Sequence, residues 1–279
     1  MNKLLIVNKE KNLTSRDVVN ELTKIFNTKK IGHTGTLDPI ATGVLVCLFG
    51  KYTKLVDLLT SLDKEYIAEI KLGIKTDTGD ITGNIIENKS FNITEGSIIK
   101  IFEEFPKKYE QIVPKYSAVK INGKKLYEYA RNNIEIELPK REVSIYSLEL
   151  IRFDKDIIKF KTHVSKGTYI RSLIENICEK LGTVGTMNNL IRTKQGNFDI
   201  KDSFTLDDIK NGNFKFQNIH EFLKYPSIEI NDELIKTIKN GGKIRNIYNI
   251  QDKVIFTYHG ENIAIYETNN ETLKPYIMF

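Results

Sequence analysis

Residues 32 to 43 read Gly-His-Thr-Gly-Thr-Leu-Asp-Pro-Ile-Ala-Thr-Gly, and this stretch is the most informative part of the 279-residue chain. It places one acid, Asp38, among residues that are mostly small, hydroxylated or aromatic. Glycine permits close backbone approach and positive φ, and Pro39 restricts the backbone directly after the acid. Such a loop can present a carboxylate rigidly, as covalent or acid–base catalysis requires. Composition alone favours a simpler interpretation, an ordinary Gly/Pro turn with a solvated aspartate.

The order of residues in this stretch resembles the catalytic motif of the TruB-type tRNA pseudouridine-55 synthases. Five further blocks resemble the same family and follow in its chain order: Lys64-Glu65-Tyr66, Thr76-Asp77-Thr78-Gly79-Asp80, Tyr116-Ser117-Ala118-Val119-Lys120, Gly123-Lys124-Lys125-Leu126-Tyr127-Glu128-Tyr129-Ala130-Arg131 and Ser165-Lys166-Gly167-Thr168-Tyr169-Ile170-Arg171. The resemblance covers residues 1 to 200, and six blocks in order are a specific signal. One departure lies after the first predicted strand, where residues 8–15 keep the family's Lys, Thr and Ser but lose its Asp, Pro and Gly.

The resemblance implies an isomerase that converts uridine to pseudouridine at position 55 in the T-loop of tRNA. This reaction breaks the bond between C1′ and N1, rotates the base and joins C1′ to C5, so we expect no cofactor and no metal. The motifs G-x-G-x-x-G, Walker A and H-E-x-x-H, and clusters of Cys and His, are absent from the sequence. Two alternatives stay open: a tRNA-binding folding factor with incidental turnover, and a guide-RNA-dependent pseudouridine synthase.

The resemblance assigns three catalytic residues. Asp38 is the carboxylate, acting as a nucleophile or stabilising positive charge at C1′, as carboxylates do in glycoside chemistry. Arg171 is expected to pair with Asp38 and keep it ionised, because a nearby arginine lowers a carboxyl pKa by about 1 to 3 units. Tyr66 is expected to stack on the target base and to move a proton through its hydroxyl. Without the motifs, Arg171 would be taken for a surface arginine and Tyr66 for core packing.

The resemblance also implies five substrate-binding residues. His33 is expected to fill the space that the target base leaves when it is extruded from its stack, and Leu190 to form an apolar wall beside that base. Asp80 is expected to hydrogen-bond near the target, although an exposed turn aspartate is an equally good interpretation. Tyr169 in the last matching block and Lys9 in the first motif complete the set.

The charge distribution favours an RNA partner. The net charge is +6 and the pI about 9.0. Residues 107–141 hold nine Lys or Arg against four Glu, together with four tyrosines. Basic side chains contact phosphates and tyrosines stack on unpaired bases, so this range is predicted to grip RNA. A solvated lysine-rich face is the alternative.

The pattern of elements predicts an α+β fold, because strands mix with helices outside a regular βα repeat. We expect a mixed, mainly antiparallel sheet flanked by helices, the pseudouridine synthase catalytic fold, with a basic hairpin insertion and a small C-terminal β-barrel that is PUA-like by analogy. Residues 1–226 are the predicted catalytic domain, 107–141 the insertion and 227–279 the RNA-binding PUA-like domain.

Three local signals predict secondary structure in more detail. Thr14 begins a capping box that starts the first helix, and Thr168 is predicted to cap a later helix. Asn122-Gly123 is a strong hairpin-turn signal between strands predicted at residues 117–121 and 124–129.

The remaining expectations concern the cellular setting. Cys47 and Cys178 lie far apart in apolar surroundings, which predicts reduced core thiols in a cytoplasmic protein. The longest apolar run, residues 44–49, is too short to span a membrane. The short apolar run predicts that the protein does not insert into a membrane. The resemblance implies a monomer without an obligate protein partner, whose partner is tRNA bound through its T-arm stem-loop.

Overall fold

The computed structural model describes residues 1–132 and 134–279, so Asn133, inside the predicted insertion, lies outside the described residues. The strands are Lys3–Lys9 (β1), Ile31–His33 (β2), Thr42–Phe49 (β3), Lys64–Leu72 (β4), Ile74–Thr76 (β5), Ile85–Asn88 (β6), Lys108–Ile112 (β7), Lys120–Ile121 (β8), Lys124–Lys125 (β9), Lys140–Asp154 (β10), Ile157–Val164 (β11), Gly185–Gln195 (β12), Phe198–Asp199 (β13), Ser227–Glu229 (β14), Ile244–Arg245 (β15), Lys253–Tyr258 (β16), Glu261–Asn269 (β17) and Thr272–Met278 (β18). The α-helices are Ser15–Ile25 (α1), Val56–Thr60 (α2), Glu95–Glu104 (α3), Leu126–Arg131 (α4), Ile170–Lys180 (α5), Leu206–Lys210 (α6), Ile219–Leu223 (α7) and Asp232–Lys239 (α8), and short 3₁₀ helices span Gly50–Leu55 and Ile200–Asp202.

The main sheet has nine strands and carries the cleft described below. Seven of its strands follow the order β1-β3-β12-β4-β11-β10-β7, while β2 pairs with β3 and β13 with β12. The pairing of β12 with β3 is parallel, and the other pairings are antiparallel. The predicted α+β fold with a mixed, mainly antiparallel sheet is therefore confirmed.

Strand β3 of this sheet is buried on both faces, whereas the central strand β4 is buried on one. In β3, Leu45 and Cys47 pack into the cluster that contains α1, whereas Val44 and Val46 pack on the opposite face. Strand β4 alternates, and its buried residues, including Tyr66, join the core beneath α5. Because each strand buries its apolar side chains, the sheet is a rigid base for the residues at its edges.

One of the two predicted helix caps is confirmed. The Thr14 hydroxyl accepts a hydrogen bond from Asp17 N at 3.1 Å, and Thr14 N donates to the Asp17 carboxylate at 2.8 Å, which completes the capping box. The prediction for Thr168 is wrong: its hydroxyl donates to Ser165 O within the preceding turn. Helix α5 starts after Tyr169, whose N–H donates instead to the Gln111 side chain from β7.

The basic range 107–141 contains both sheet and local structure. Strand β7 and the start of β10 pair with each other at the edge of the main sheet. Asn122 and Gly123 both have positive φ, 50° and 81°, as the predicted hairpin turn requires. Both predicted strands are too long: the strand predicted at 117–121 is observed only at Lys120–Ile121, and the one predicted at 124–129 ends at Lys125. Helix α4 begins at Leu126, whose side chain is buried.

The C-terminal strands form a separate, curled sheet, a half-barrel in the order β14-β16-β17-β18-β15. Its Ile255 and Ile265 share an apolar cluster with Leu4 of β1, so this module packs directly on the main sheet. The contact also has a polar part, since Asn262 donates to the Tyr52 hydroxyl at 2.7 Å. The predicted small β module is present, as a half-barrel.

The two cysteines are free and buried, as predicted. Burial raises the pKa of the thiols of Cys47 and Cys178 to about 12. Both thiols therefore stay protonated at neutral pH and act as small apolar side chains.

Candidate active site

A cleft of about 1010 Å³ opens beside the central strands β4 and β12. One wall is the Asp38 loop (residues 34–41), which joins β2 to β3. The opposite wall includes the start of the Tyr116 segment (residues 116–131) and the start of α5. The blocks that match the family motif in sequence thus meet at one place in the fold.

Asp38 and Arg171 form an ion pair in this cleft. Arg171 Nε lies 3.0 Å from Asp38 Oδ2, and Arg171 Nη2 donates to Asp38 Oδ1 at 3.3 Å. The arginine side chain is only 6% exposed, whereas 32% of the aspartate side chain is open. The predicted pair is present, and its geometry holds the carboxylate from one side while leaving it accessible from the cleft.

Arg171 also ties three segments together. Its Nη1 donates to Thr78 O at 2.9 Å, and its Nη2 donates to Tyr116 O at 2.9 Å. The side chain leaves the first turn of α5, whose apolar residues are fixed in the core. The guanidinium is therefore placed by the helix and by two backbone carbonyls before any substrate arrives.

The surroundings of Asp38 shift the pKa of its carboxyl in opposite directions. Burial raises the pKa of its carboxyl, the Arg171 guanidinium lowers it, and the nearby Asp80 charge raises it again. Lys9 lowers it more weakly, and the net direction is upward. Without Arg171, the carboxyl would bind a proton at still higher pH, so the ion pair keeps Asp38 available as an anion.

Three of the predicted residues line the cleft near Asp38. Tyr66 on β4 is 7% exposed, and Leu190 lies on the neighbouring β12, paired with Ala68. In the part of the chain that the structure describes, the Tyr66 hydroxyl makes no hydrogen bond, so it is free to meet a ligand. Tyr169 precedes α5 and lines the same cleft. An aromatic ring and an aliphatic wall suit the faces of a flat base.

Asp80 does not fit the exposed-turn alternative, because it is only 7% exposed. Its Oδ1 accepts hydrogen bonds from Thr82 N at 2.9 Å and from the hydroxyls of Thr82 and Thr78. The carboxylate thus closes its own turn and acts on the site through its charge on Asp38. A substrate contact by Asp80 stays a prediction.

The prediction that Lys9 binds substrate is corrected by its position. Lys9 is fully buried, and its Nζ donates to the carbonyls of Glu10, Leu13 and Pro39. Burial lowers the pKa of its ammonium to about 8. An ammonium enclosed by three carbonyls cannot reach RNA, so Lys9 supports the Asp38 loop from behind.

His33 lies at the end of β2, next to the Asp38 loop, and is outside the described lining of the cleft. Its Nδ1 is buried without a hydrogen-bond partner among the described residues. Burial, followed by the charges of Arg16 and Arg192, lowers the pKa of the imidazole, so the ring is neutral at neutral pH. Its part in base displacement stays a prediction.

Comparison with known proteins agrees with this geometry. Residues 23–170 match the TruB family pseudouridylate synthase (N terminal domain), and residues 171–224 match the tRNA pseudouridylate synthase B C-terminal domain. The chain is 42% identical over 280 residues to a tRNA pseudouridine synthase B of Caldanaerobacter subterraneus, covering 99% of this chain and 98% of that protein.

The chain belongs to the TruB family of pseudouridylate synthases.

A second relative has the same extent. The tRNA pseudouridine synthase B of Acholeplasma laidlawii is 40% identical over 286 residues and is covered completely, as is this chain. The fold is also that of a solved H/ACA RNP bound to a substrate RNA containing 2′-deoxyuridine, with a TM-score of 0.73 and 23% identity over 99% of this chain and 84% of that one. At that identity the likeness concerns the fold.

Three residues that shape this TruB-family site could not be picked out from the sequence. Ser15 Oγ accepts from Leu37 N at 2.9 Å, and Gln111 holds the start of α5. Arg192 hydrogen-bonds Gly35 in the Asp38 loop and Val44 in β3, the strand that follows the loop. In the sequence Ser15 stands out only as a remnant of the first motif, and Arg192 only by lying two residues after Leu190. Neither signal indicates a role, because each role depends on a partner distant along the chain.

Residues 1–132 and 134–279 contain no group of three or more His, Cys, Asp or Glu side chains placed to hold a metal ion. Within the same residues, none of the helices combines the length and apolar character needed to cross a membrane.

Proposed function

We propose that this protein isomerises uridine to pseudouridine at position 55 in the T-loop of tRNA, with Asp38 as the catalytic carboxylate. The observation that carries the proposal is the Asp38–Arg171 ion pair, open to a cleft in a chain of the TruB family. Relatives at 40% and 42% identity over nearly the whole chain are named tRNA pseudouridine synthase B.

The chemistry follows from the state of Asp38. An ionised carboxylate serves the reaction either by attacking the nucleotide or by stabilising positive charge at C1′, and both roles need the anion. Arg171 supplies the opposing charge without covering the open side of the carboxylate. It is thus a catalytic partner that acts by electrostatics and position.

Tyr66 and Leu190 supply the apolar surfaces for the base. The ring of Tyr66 packs on one face of uracil, and Leu190 limits the space beside it. The free Tyr66 hydroxyl is the proposed group for moving a proton during the reaction. A target base reaches these residues only after extrusion, because a base inside its stack has both faces covered by its neighbours.

We also propose the domain organisation, the cellular location and the oligomeric state of the protein. Residues 1–226 form the catalytic domain, with 107–141 as the RNA-gripping insertion, and 227–279 form the PUA-like RNA-binding domain. The protein works in the cytoplasm as a monomer without an obligate protein partner. The support for a monomer is that one chain supplies both walls of the cleft.

The test is a pseudouridine assay on a T-arm stem-loop without guide RNA or other proteins. We expect one modified uridine, at the T-loop position. Asp38→Asn should bind this RNA with near wild-type affinity and form no pseudouridine. Asp207→Asn is the matched control, because Asp207 is an exposed carboxylate outside the lining of the cleft; it should keep the wild-type rate.

The other outcomes separate the alternatives. Product from Asp38→Asn near the wild-type rate would overturn the catalytic assignment. Binding and folding of tRNA by wild type without product would favour a folding factor. Activity that appears only with a guide RNA would favour a guide-dependent synthase.

A further inference from the structure

Arg192 is a buried cation at the wall of the cleft. It lies on β12 where that strand pairs with Gly43 of β3 on one side and with Tyr66 of β4 on the other. The residue is only 1% exposed, yet it lines the cleft together with Asp38 and Arg171. Among the largest fully buried side chains of the described residues, it is one of two that carry a charge, the other being Lys9.

Two of its three nitrogens hold the Asp38 loop. Arg192 Nε donates to Val44 O at 2.7 Å, and Nη2 donates to Gly35 O at 3.1 Å. These carbonyls lie on either side of Asp38 in the chain, so the guanidinium links the start of the loop to β3, the strand that follows it. These two hydrogen bonds position the loop, and among the described residues they leave the third nitrogen, Nη1, without a partner.

The third nitrogen, Nη1, makes no hydrogen bond to any residue that the structure describes. Gly35 lies next to it: a Cβ at that position would be 3.5 Å from Nη1. Because glycine has no side chain, this edge of the guanidinium is not covered from the loop. A group that enters the cleft can therefore reach it.

The charge of Arg192 is also unbalanced. Across residues 1–132 and 134–279, no carboxylate lies within 4.0 Å of its guanidinium, in contrast with Arg171. The neighbouring Lys64 adds to the excess, and its ammonium is already bound to the carbonyls of Thr60 and Leu62. A buried charge without a counter-charge is costly, so an anion that occupies this end of the cleft gains strongly.

We propose that Arg192 binds a backbone phosphate of the substrate RNA at the target nucleotide or its immediate neighbour, through Nη1, while Nε and Nη2 hold the Asp38 loop. The inference rests on the proposed function, because RNA is the anion that enters this cleft. A phosphate supplies the missing negative charge, which a neutral base edge does not, and guanidinium groups suit phosphate oxygens. Arg192 thus couples RNA docking to the position of the catalytic carboxylate.

The experiment is a methylphosphonate scan of the T-arm stem-loop, which replaces single phosphates by neutral groups. With the wild-type protein, we expect one position adjacent to the target uridine to weaken binding about 10- to 100-fold, the range for a charge-assisted hydrogen bond. Arg192→Gln should bind the native RNA and this modified RNA equally. Arg152→Gln, which removes an exposed arginine paired with Asp154, should retain the full wild-type penalty.

Several results would overturn the inference. One is a wild-type scan in which no methylphosphonate next to the target uridine weakens binding. This measurement needs no variant, so it remains decisive if Arg192→Gln fails to fold. Another is an Arg192→Gln protein, folded by circular dichroism, that keeps the methylphosphonate penalty, since Arg192 would then only support the loop. Arg192→Lys should restore part of the discrimination between the two RNAs. If the wild type binds but makes no pseudouridine, the proposed function fails, while the scan still tests the phosphate contact.

Discussion

The Asp38 loop and the Tyr116 segment line the same cleft, but they are held in different ways. The loop is anchored by side chains from distant elements: Ser15 on α1 binds Leu37, Lys9 binds Pro39, and Arg192 binds Gly35. The Tyr116 segment is held mainly by its own hydrogen bonds, such as Leu126 N to Val119 O at 2.8 Å and the Tyr129 hydroxyl to Ile121 O at 3.0 Å.

Their only shared tie in the described residues is Arg171, which contacts both Asp38 and Tyr116 O. One wall is therefore set before RNA binds, as a catalytic carboxylate requires. The other wall can change its position at little cost, because few of its hydrogen bonds reach outside the segment. We therefore propose a division of work between the two walls: the fixed wall carries the chemistry, and the adaptable wall meets the RNA.

The largest expected effect comes from replacing Arg171, which hydrogen-bonds both walls of the cleft. Arg171→Met should lower the rate of pseudouridine formation by about 10²- to 10³-fold, since it leaves a half-buried carboxylate unpaired. Because Arg171 lowers the pKa of Asp38 while burial raises it, the acid limb of the pH–rate profile should move to higher pH. Arg171→Lys should recover part of the rate and of the shift. An unmoved acid limb in Arg171→Met would contradict the assigned electrostatic role.

The second test loosens the fixed wall alone. Ser15→Ala removes the acceptor of Leu37 N–H inside the protein, so the free energy of unfolding should fall by about 1–3 kcal/mol. The maximal rate should fall while the half-saturating RNA concentration stays constant. Urea denaturation and single-turnover kinetics measure the two effects. Ser61→Ala, at an exposed hydroxyl that donates to Leu58 O, should change neither; equal effects of both variants would argue against a preset loop.

The third test concerns the charge behind the loop. The pKa of Lys9 is lowered from 10.5 to about 8 in the folded protein. Between these values the unfolded chain binds more protons, so the contribution of Lys9 to stability rises with pH, by up to about 1.4 kcal/mol per pH unit. Lys9→Met should therefore show a smaller rise, or a steeper fall, in unfolding free energy from pH 8 to 10 than wild type. If the unfolding free energies of Lys9→Met and wild type change in parallel from pH 8 to 10, Lys9 is not the group that produces the rise.

The smallest effect is expected at the adaptable wall. Lys120→Gln combined with Lys124→Gln should weaken T-arm binding about 3- to 10-fold, and the salt slope should become shallower by about 0.7 to 0.9 for each phosphate that is no longer neutralised. The maximal rate at saturating RNA should not change. The control is the pair Lys24→Gln and Lys100→Gln, two exposed helix lysines. If both pairs alter the salt slope equally, the Tyr116 segment is not a specific RNA-binding element.

Local signals predicted much of the fold. The capping box at Thr14 and the hairpin turn at Asn122-Gly123 were correct, because these hydrogen bonds form between residues within a few positions of each other. The cap prediction at Thr168 failed because α5 begins one residue later, after Tyr169, and the Thr168 hydroxyl donates to Ser165 O. Tyr169 itself is held by Gln111, 58 positions earlier. The strand predicted after the turn ends at Lys125, where α4 begins with the buried Leu126.

The site residues also separate into those that the sequence predicted and those that it did not. The matching blocks contain Asp38, Arg171 and Tyr66, and the resemblance added Leu190; the structure brings all four to one cleft. The assignment of Lys9 to the substrate was wrong, since local context does not reveal that the side chain points into the protein. The roles of Ser15 and Arg192 were also missed.

The sequence by itself determined the fold class, the family and the pair of opposite charges, because these depend on residue types and their order. Only the tertiary structure decided which side chains hold the Asp38 loop and which nitrogen of Arg192 remains free. The physical reason is that those contacts are side-chain hydrogen bonds between residues up to 157 positions apart. The position of a buried charge is set by the elements packed around it, which no local stretch of sequence records.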